Sequence, residues 1–97
     1  MAQLRWADKA LEELFIYLSH IEASGGDTVS ISRRVDKATL RLERFPESAP
    51  LYEESFRRLE IRDLSVSCYY SVEEDIVTIL HFRHDHQQPL DALSSPQ

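Results

Sequence analysis

The fold is decided by the stretch Ser65-Val66-Ser67-Cys68-Tyr69-Tyr70-Ser71-Val72, together with Glu73-Glu74-Asp75 and the run Ile76-Val77-Thr78-Ile79-Leu80-His81-Phe82 that follows. In the first segment, apolar residues alternate with serines and Tyr69, which is the period of a half-buried β-strand. The acidic triplet predicts a polar turn. The nearly continuous apolar run predicts a central strand that is covered on both faces. Because their connection is short, the two strands should be antiparallel.

Two more strands follow from the same two-residue period. Residues 58–62 alternate charged and apolar side chains, and residues 3–6 alternate polar and apolar ones. Residues 46–56 hold two prolines and show no periodicity, which predicts a loop.

Two helices are predicted between the first strand and this loop. The first has Asp8 as a candidate N-cap and ends at Gly25-Gly26. The second runs from about Thr28 to Arg44, with Asp27 or Thr28 as its cap and Pro46 as its stop. Their apolar stripes recur at helical spacing: Ala7, Leu11, Leu14, Leu18 and Ile21 in the first, and Ile31, Val35, Ala38, Leu42 and Phe45 in the second.

The predicted order is therefore β-α-α-β-β-β, an α+β fold in which a helical hairpin packs on a mainly antiparallel four-stranded sheet. We expect one domain at residues 1–88 and a flexible C-terminal tail at residues 89–97, which contains two serines and two prolines.

The composition and net charge of the chain limit the classes of function that it can have. The net charge of −6 argues against nucleic acid and favours a protein target. Cys68 is the only cysteine, so no internal disulfide forms, and we expect it to be a small core residue. With no long apolar segment and no secretory signal pattern, the sequence predicts a cytoplasmic protein that does not enter the membrane.

One group of polar residues suits RNA cleavage, which needs a base, a cation for the phosphate and an acid. The cation candidates are Arg58, Arg62 and Arg83, the base is Glu60 or His81, and the acid is His84. Alternation places Arg58, Glu60 and Arg62 on one strand face, and His81 and Arg83 on one face of the last strand. Whether these two faces coincide stays open. We favour the alternative, a solvated face with cross-strand ion pairs.

A metal site is also suggested by His84 and His86, which share a strand face after His81. No second cluster of histidine or cysteine completes it, because His20 and Cys68 are isolated, so we predict no metal and no cofactor. We expect Tyr52, Phe56, Tyr69 and Tyr70 to line a core or a protein interface, and Trp6 to pack where the first strand meets the first helix.

Four pieces of the chain, in order, resemble the ParE/RelE toxin superfamily of type II toxin–antitoxin systems, once called plasmid-stabilisation proteins. They are Arg5-Trp6 with Ala10 and Leu14, the turn Leu42-Glu43-Arg44-Phe45-Pro46-Glu47-Ser48, the strand end Tyr70-Ser71-Val72, and Val77-Thr78-Ile79-Leu80-His81-Phe82-Arg83-His84. The Phe-Pro-Glu-Ser turn and the position of His84 are more similar to the ParE-like branch.

This resemblance implies a toxin that inhibits a protein target such as DNA gyrase and is neutralised by a cognate antitoxin in a hetero-oligomer. Such a toxin is not an enzyme. One alternative is a RelE-like, ribosome-dependent and metal-independent mRNA endoribonuclease, which would engage the ribosome and mRNA. Another is a non-toxic relative that acts as a binding module. The chain has no lysine after Lys37 and no tyrosine after Tyr70, which argues against RNA cleavage.

Overall fold

A computed structural model describes residues 1–85 of the chain. Its helices and strands are β1 (Gln3–Trp6), α1 (Asp8–Ala23), α2 (Thr28–Leu40), β2 (Leu51–Glu53), β3 (Phe56–Ile61), β4 (Val66–Glu73) and β5 (Ile76–His84), with short 3₁₀ helices at Arg41–Glu43 and Arg62–Leu64. The strands form one sheet in the order β1-β5-β4-β3-β2. β1 is parallel to β5, and the other neighbours are antiparallel. The predicted α+β architecture with a helical hairpin is confirmed.

The sheet has five strands rather than the predicted four, because part of the predicted loop pairs with β3. The additional strand β2 spans three residues and pairs through Leu51 with Arg57 and through Glu53 with Phe56. A segment this short, directly after Pro50, is too brief to show a two-residue period. Its pairing was therefore not visible in the sequence.

The strands β4 and β5 form the centre of the sheet, as the hairpin pattern predicts. The prediction that β4 is half-buried is wrong for its first five residues, where Ser67 and Tyr69 are buried together with the apolar residues. Tyr69 is covered by the rings of Tyr52 and Phe56, whose centroids lie 5.0 and 6.3 Å from its own. Arg58 covers Ser67 and donates a hydrogen bond from Nε to its hydroxyl over 3.0 Å.

The turn between β4 and β5 is as short as predicted. Glu73 pairs with Ile76, and the two residues between them, Glu74 and Asp75, have φ values of 48° and 63°. Two consecutive left-handed residues match the twist of a two-residue hairpin.

The helix α1 packs on the sheet through a stripe that overlaps the predicted one only in part. Ala10 is completely buried, while Leu14 and Tyr17 pack against the core. Leu11 is exposed, so its assignment to the core stripe is wrong. Ala7 is the N-cap residue and no side chain caps this helix, so the predicted cap at Asp8 is also wrong.

The helix α2 begins as predicted, because the side chain of Asp27 accepts a hydrogen bond from the backbone N–H of Ser30 at 3.1 Å. The α-helix ends at Leu40 instead of Arg44 and continues as a 3₁₀ helix. The tighter winding turns Phe45 away from the buried stripe, and Phe45 is exposed. Val35 and Leu42 are buried as expected.

The predicted boundary at residue 88, the tail at residues 89–97 and His86 lie outside the described residues. Within residues 1–85, no helix is long and apolar enough to cross a membrane.

Candidate functional site

The sheet has one face that packs on the helices and one open face, and the strand register assigns residues to each. Tyr17 of α1 contacts Phe82, with ring centroids 5.2 Å apart, and Phe82 pairs with Cys68 on the helix-packed face. The open face carries two rows across β3, β4 and β5. The first row is Arg58, Tyr69 and His81, and the second is Glu60, Ser67 and Arg83. The two faces that the sequence left undecided therefore coincide.

The carboxylate of Glu60 lies between two arginines at one side of this open face. Its Oε2 is 3.7 Å from Nη2 of Arg58, and its Oε1 is 3.3 Å from Nε of Arg62. The prediction that Arg62 lies on the strand face is wrong, because β3 ends at Ile61 and Arg62 belongs to the next 3₁₀ helix. Its side chain is 90% exposed. The charged residues pair on a partly exposed face, as favoured, but the expectation of cross-strand pairs is wrong, because these ion pairs join neighbours along β3 and the 3₁₀ helix after it.

At the other side of the open face, Glu13 of α1 reaches around the edge of β5. The pairing of β1 with β5 ends at Trp6 opposite Ile79, so the later residues of β5 have no neighbour from β1. There, Oε1 of Glu13 accepts a hydrogen bond from the backbone N–H of Phe82 at 3.1 Å and lies 3.3 Å from Nδ1 of His81. Its Oε2 lies 3.2 Å from Nη1 of Arg83.

The Glu13–Arg83 pair is well removed from solvent. The two side chains are 9% and 10% exposed, in contrast to the partly exposed Arg58 and Glu60. Because burial of an unpaired charge is strongly unfavourable, this carboxylate and guanidinium hold each other in place.

His84 is separated from the other predicted acid–base residues. It lies on the helix-packed face of β5, where its ring centroid is 6.1 Å from that of Tyr17. The predicted set of Arg58, Arg62, Arg83 and His84 is therefore not one cluster. Arg58 and Arg83 share the open face, Arg62 reaches its side from the 3₁₀ helix after β3 to contact Glu60, and His84 lies on the opposite face.

A groove of about 680 Å³ runs between α1 and the end of β5, next to this edge. Its lining includes Ile16, Tyr17, His20, Phe82 and His84. Burial, with a smaller contribution from the negative charge of Asp63, raises the pKa of Tyr17. The groove is mainly apolar, and the polar residues on its lining are Lys9, Glu13, His20, Ser24, Arg83 and His84.

Cys68 is unsuited to nucleophilic catalysis. Burial raises the pKa of Cys68 to about 12, so its thiol stays protonated and is a poor nucleophile at neutral pH. Within residues 1–85, no group of three or more potential ligands is positioned to hold a metal ion.

Comparison with known proteins identifies the family. The model of the ParE toxin of the type II toxin–antitoxin system parDE matches residues 4–89. The chain belongs to the ParE toxin family. It is thus a member of the ParE/RelE superfamily on the ParE-like branch, and this family implies a toxin role with an antitoxin partner. No curated protein matches the chain by sequence.

Solved structures agree with the ParE assignment at the level of the fold. One is the chromosomal ParDE system from P. aeruginosa, with a TM-score of 0.76, 19% identity, and coverage of 87% of this chain and 96% of that chain. Another is the isolated E. coli RelE toxin, with a TM-score of 0.66, 12% identity, and coverage of 97% and 95%. A conserved hypothetical protein from Helicobacter pylori has a TM-score of 0.53, 21% identity, and coverage of 86% and 93%.

The residue that sequence reasoning missed is Glu13. Its neighbours Asp8 and Glu12 suggest only the usual acidic start of a helix. One signal for it exists, because Glu13 directly precedes Leu14, which faces the core. A carboxylate beside the buried stripe needs a partner, and this would have indicated an ion pair at Glu13.

Proposed function

We propose that this ParE-family chain is a cytoplasmic toxin that inhibits DNA gyrase and is neutralised by a cognate antitoxin in a hetero-oligomer. The observation that carries the proposal is the pairing of arginines on the open sheet face. Arg83 contacts Glu13, which also contacts His81, and Arg58 contacts Glu60. The carboxylate beside each arginine competes with an RNA phosphate for it. This pairing and the net charge of −6 favour a protein target.

The gyrase proposal is tested with the purified chain, purified gyrase and plasmid DNA. We expect loss of supercoiling activity and accumulation of cleaved DNA after denaturation of the enzyme. A type I topoisomerase is the control and should be unaffected. Unchanged gyrase activity at excess toxin would contradict the proposed target.

Neutralisation is tested in cells. Induced expression of the chain alone should stop growth, and co-expression of the adjacent reading frame should restore it. Growth that continues in both cases would instead favour a non-toxic relative that acts as a binding module.

A second candidate, the RelE-like mRNA endonuclease, is favoured by one observation: Arg58, His81 and Arg83 share the open face of the sheet. In that case, induction should produce new 5′ ends within translated mRNAs, and the double variant Arg58→Gln/Arg83→Gln should abolish them. We expect no such ends from the wild-type chain.

A further inference from the structure

The groove between α1 and the end of β5 is an apolar surface that the proposed function does not use. Ile16 lines it from α1 and is 48% exposed, and Phe82 lines it from β5. No strand pairs with β1's side of β5 here, because the pairing of β1 with β5 ends at Ile79 within the described residues. An apolar groove beside an open strand edge favours a segment of chain that covers both.

The titratable side chains along the groove are mostly bases, although the whole chain is acidic. Lys9, His20 and His84 line the groove, and its carboxylate, Glu13, is already paired with Arg83. Among residues 1–85, no ion pair involves Lys9. In a chain with a net charge of −6, this local excess of bases favours an occupant that carries a carboxylate.

The groove lies where the described part of the chain ends. His84 lines it, and Asp85 is the last described residue. The sequence of residues 86–97 contains Leu90 and Leu93 three positions apart, and it contains Asp91 but no lysine or arginine. Pro89 suits the first position of a helical turn, and such a turn would carry both leucines on one side.

The distance that this segment must cross is short. The part of α1 that lines the groove rises about 22 Å from Lys9 to Ser24. The chain from Asp85 to Leu90 spans up to about 17 Å, so Leu90 and Leu93 can reach the middle of the groove. A short tether gives an effective concentration in the millimolar range, so a weak contact is sufficient for docking.

We propose that residues 88–94 fold back onto their own chain and dock in the groove between α1 and β5. Leu90 and Leu93 then pack against Ile16 and Tyr17, and Asp91 lies at the basic rim. In this arrangement the segment covers the open part of the β5 edge and is not a flexible tail. The inference does not require that the chain is a toxin.

The open face of the sheet is the other surface within reach of this segment, and it is less suitable. A leucine placed over that face would remove water from the ion pair of Arg58 and Glu60. Because removal of water from an ion pair is unfavourable, the apolar groove is the better site for two leucines.

The proposal is tested by NMR on the chain of 97 residues. We expect nuclear Overhauser effects between the methyl groups of Leu90 and Leu93 and the ring protons of Tyr17 and Phe82. Contacts of these methyl groups with Tyr52 or Phe56 would place the segment on the open face and overturn the proposal. Contacts with sequence neighbours alone would show a flexible tail and would also overturn it.

A matched pair of variants on α1 tests the groove itself. Ile16→Ser should lower the equilibrium constant for docking about tenfold, because an isoleucine side chain loses its buried contact with the segment. The control is Leu11→Ser, since Leu11 lies on the same helix, is also 48% exposed and does not line the groove. The control should keep the wild-type contacts, and both variants should keep a folded spectrum. Equal effects of the two variants would show that the groove is not the docking site.

The segment is tested from its own side with a second pair of variants. Leu90→Ser/Leu93→Ser should shift the resonances of Ile16 and Tyr17, whereas Ser94→Ala/Ser95→Ala should leave them unchanged. Unchanged resonances in the leucine variant would contradict docking. All of these measurements use the chain alone, so their outcome is independent of whether gyrase is the target.

Discussion

Glu13 shows how one side chain can stabilise an otherwise open strand edge. Its carboxylate accepts the backbone N–H of Phe82 and contacts the side chains of His81 and Arg83. An unpaired N–H at a sheet edge invites pairing with another chain, and a charged group at the edge prevents it. Glu13 therefore satisfies a backbone N–H of β5 and also balances the charge of Arg83.

Replacement of Glu13 by glutamine should lower the free energy of unfolding by about 2 kcal/mol, because the buried charge of Arg83 loses its counterion. The amide oxygen can still accept from Phe82. Urea unfolding at neutral pH measures the change. The control is Glu12→Gln, which alters an exposed neighbour on the same helix. It should leave the free energy of unfolding almost unchanged. Equal stabilities for the two variants would show that the Glu13 pair contributes nothing net.

The buried thiol of Cys68 makes a pH-dependent contribution to the free energy of unfolding. Its pKa is about 12 in the folded chain, against 9.0 for the free thiol, because burial disfavours the thiolate. The folded-state pKa is raised, so this contribution is complete below pH 9.0 and is lost as the pH rises through about 12. The difference in unfolding free energy between wild type and Cys68→Ala should stay constant below pH 9.0 and shrink above it. A constant difference up to pH 12 would contradict the burial of the thiol.

At the scale of the elements, Tyr70 connects the sheet to the loop between α2 and β2. Its hydroxyl donates a hydrogen bond to the carbonyl of Pro46 at 2.8 Å and accepts one from the N–H of Ala49 at 3.4 Å. The ring itself is completely buried. The Phe-Pro-Glu-Ser turn is thus held by a tyrosine that is distant from it in the chain.

The variant Tyr70→Phe keeps the ring and removes both hydrogen bonds. We expect a loss of about 1–2 kcal/mol in unfolding free energy, because the N–H and carbonyl lose a partner at a buried site. Hydrogen exchange should become faster at Ala49, while the exchange at Val77 in β5 should change only by the global loss. Unchanged exchange at Ala49 would show that the loop does not depend on Tyr70.

At the scale of the whole molecule, the parallel pairing of β1 with β5 joins the two ends of the described chain. Leu4 and Val72 both lie beside Val77, one from β1 and the other from the β4–β5 hairpin. Both pack against the core and are partly buried. They differ mainly in the length of chain that must be ordered before each of them can contact Val77.

Because closure of a long loop is unfavourable, β1 should join the sheet after the hairpin has formed. Leu4→Ala should therefore mainly accelerate unfolding, whereas Val72→Ala should mainly slow folding, with each variant destabilised by about 1–2 kcal/mol. Stopped-flow folding and unfolding rates measure the difference. If the two variants divide their destabilisation between the folding rate and the unfolding rate in the same proportion, the two contacts form together.

The strengths and limits of sequence reasoning follow from the range of the interactions involved. The helical hairpin and the β4–β5 hairpin were predictable because their periods, caps and turns are local. The three-residue β2 was not, because its pairing with β3 supplies its stability. Tyr69 was expected to line a core or an interface, but the alternation of β4 placed it on the exposed face and does not reveal that Tyr52 and Phe56 cover it.

The sequence by itself determined the class of fold, the order of the main elements and the family. Only the tertiary structure decided which charged groups meet: Arg58 with Glu60, and Arg83 and His81 with Glu13. It also separated His84 from them and placed it beside Tyr17. The physical reason is that backbone patterns repeat over a few residues, whereas ion pairs and edge contacts join residues that only the packed sheet and helix bring together.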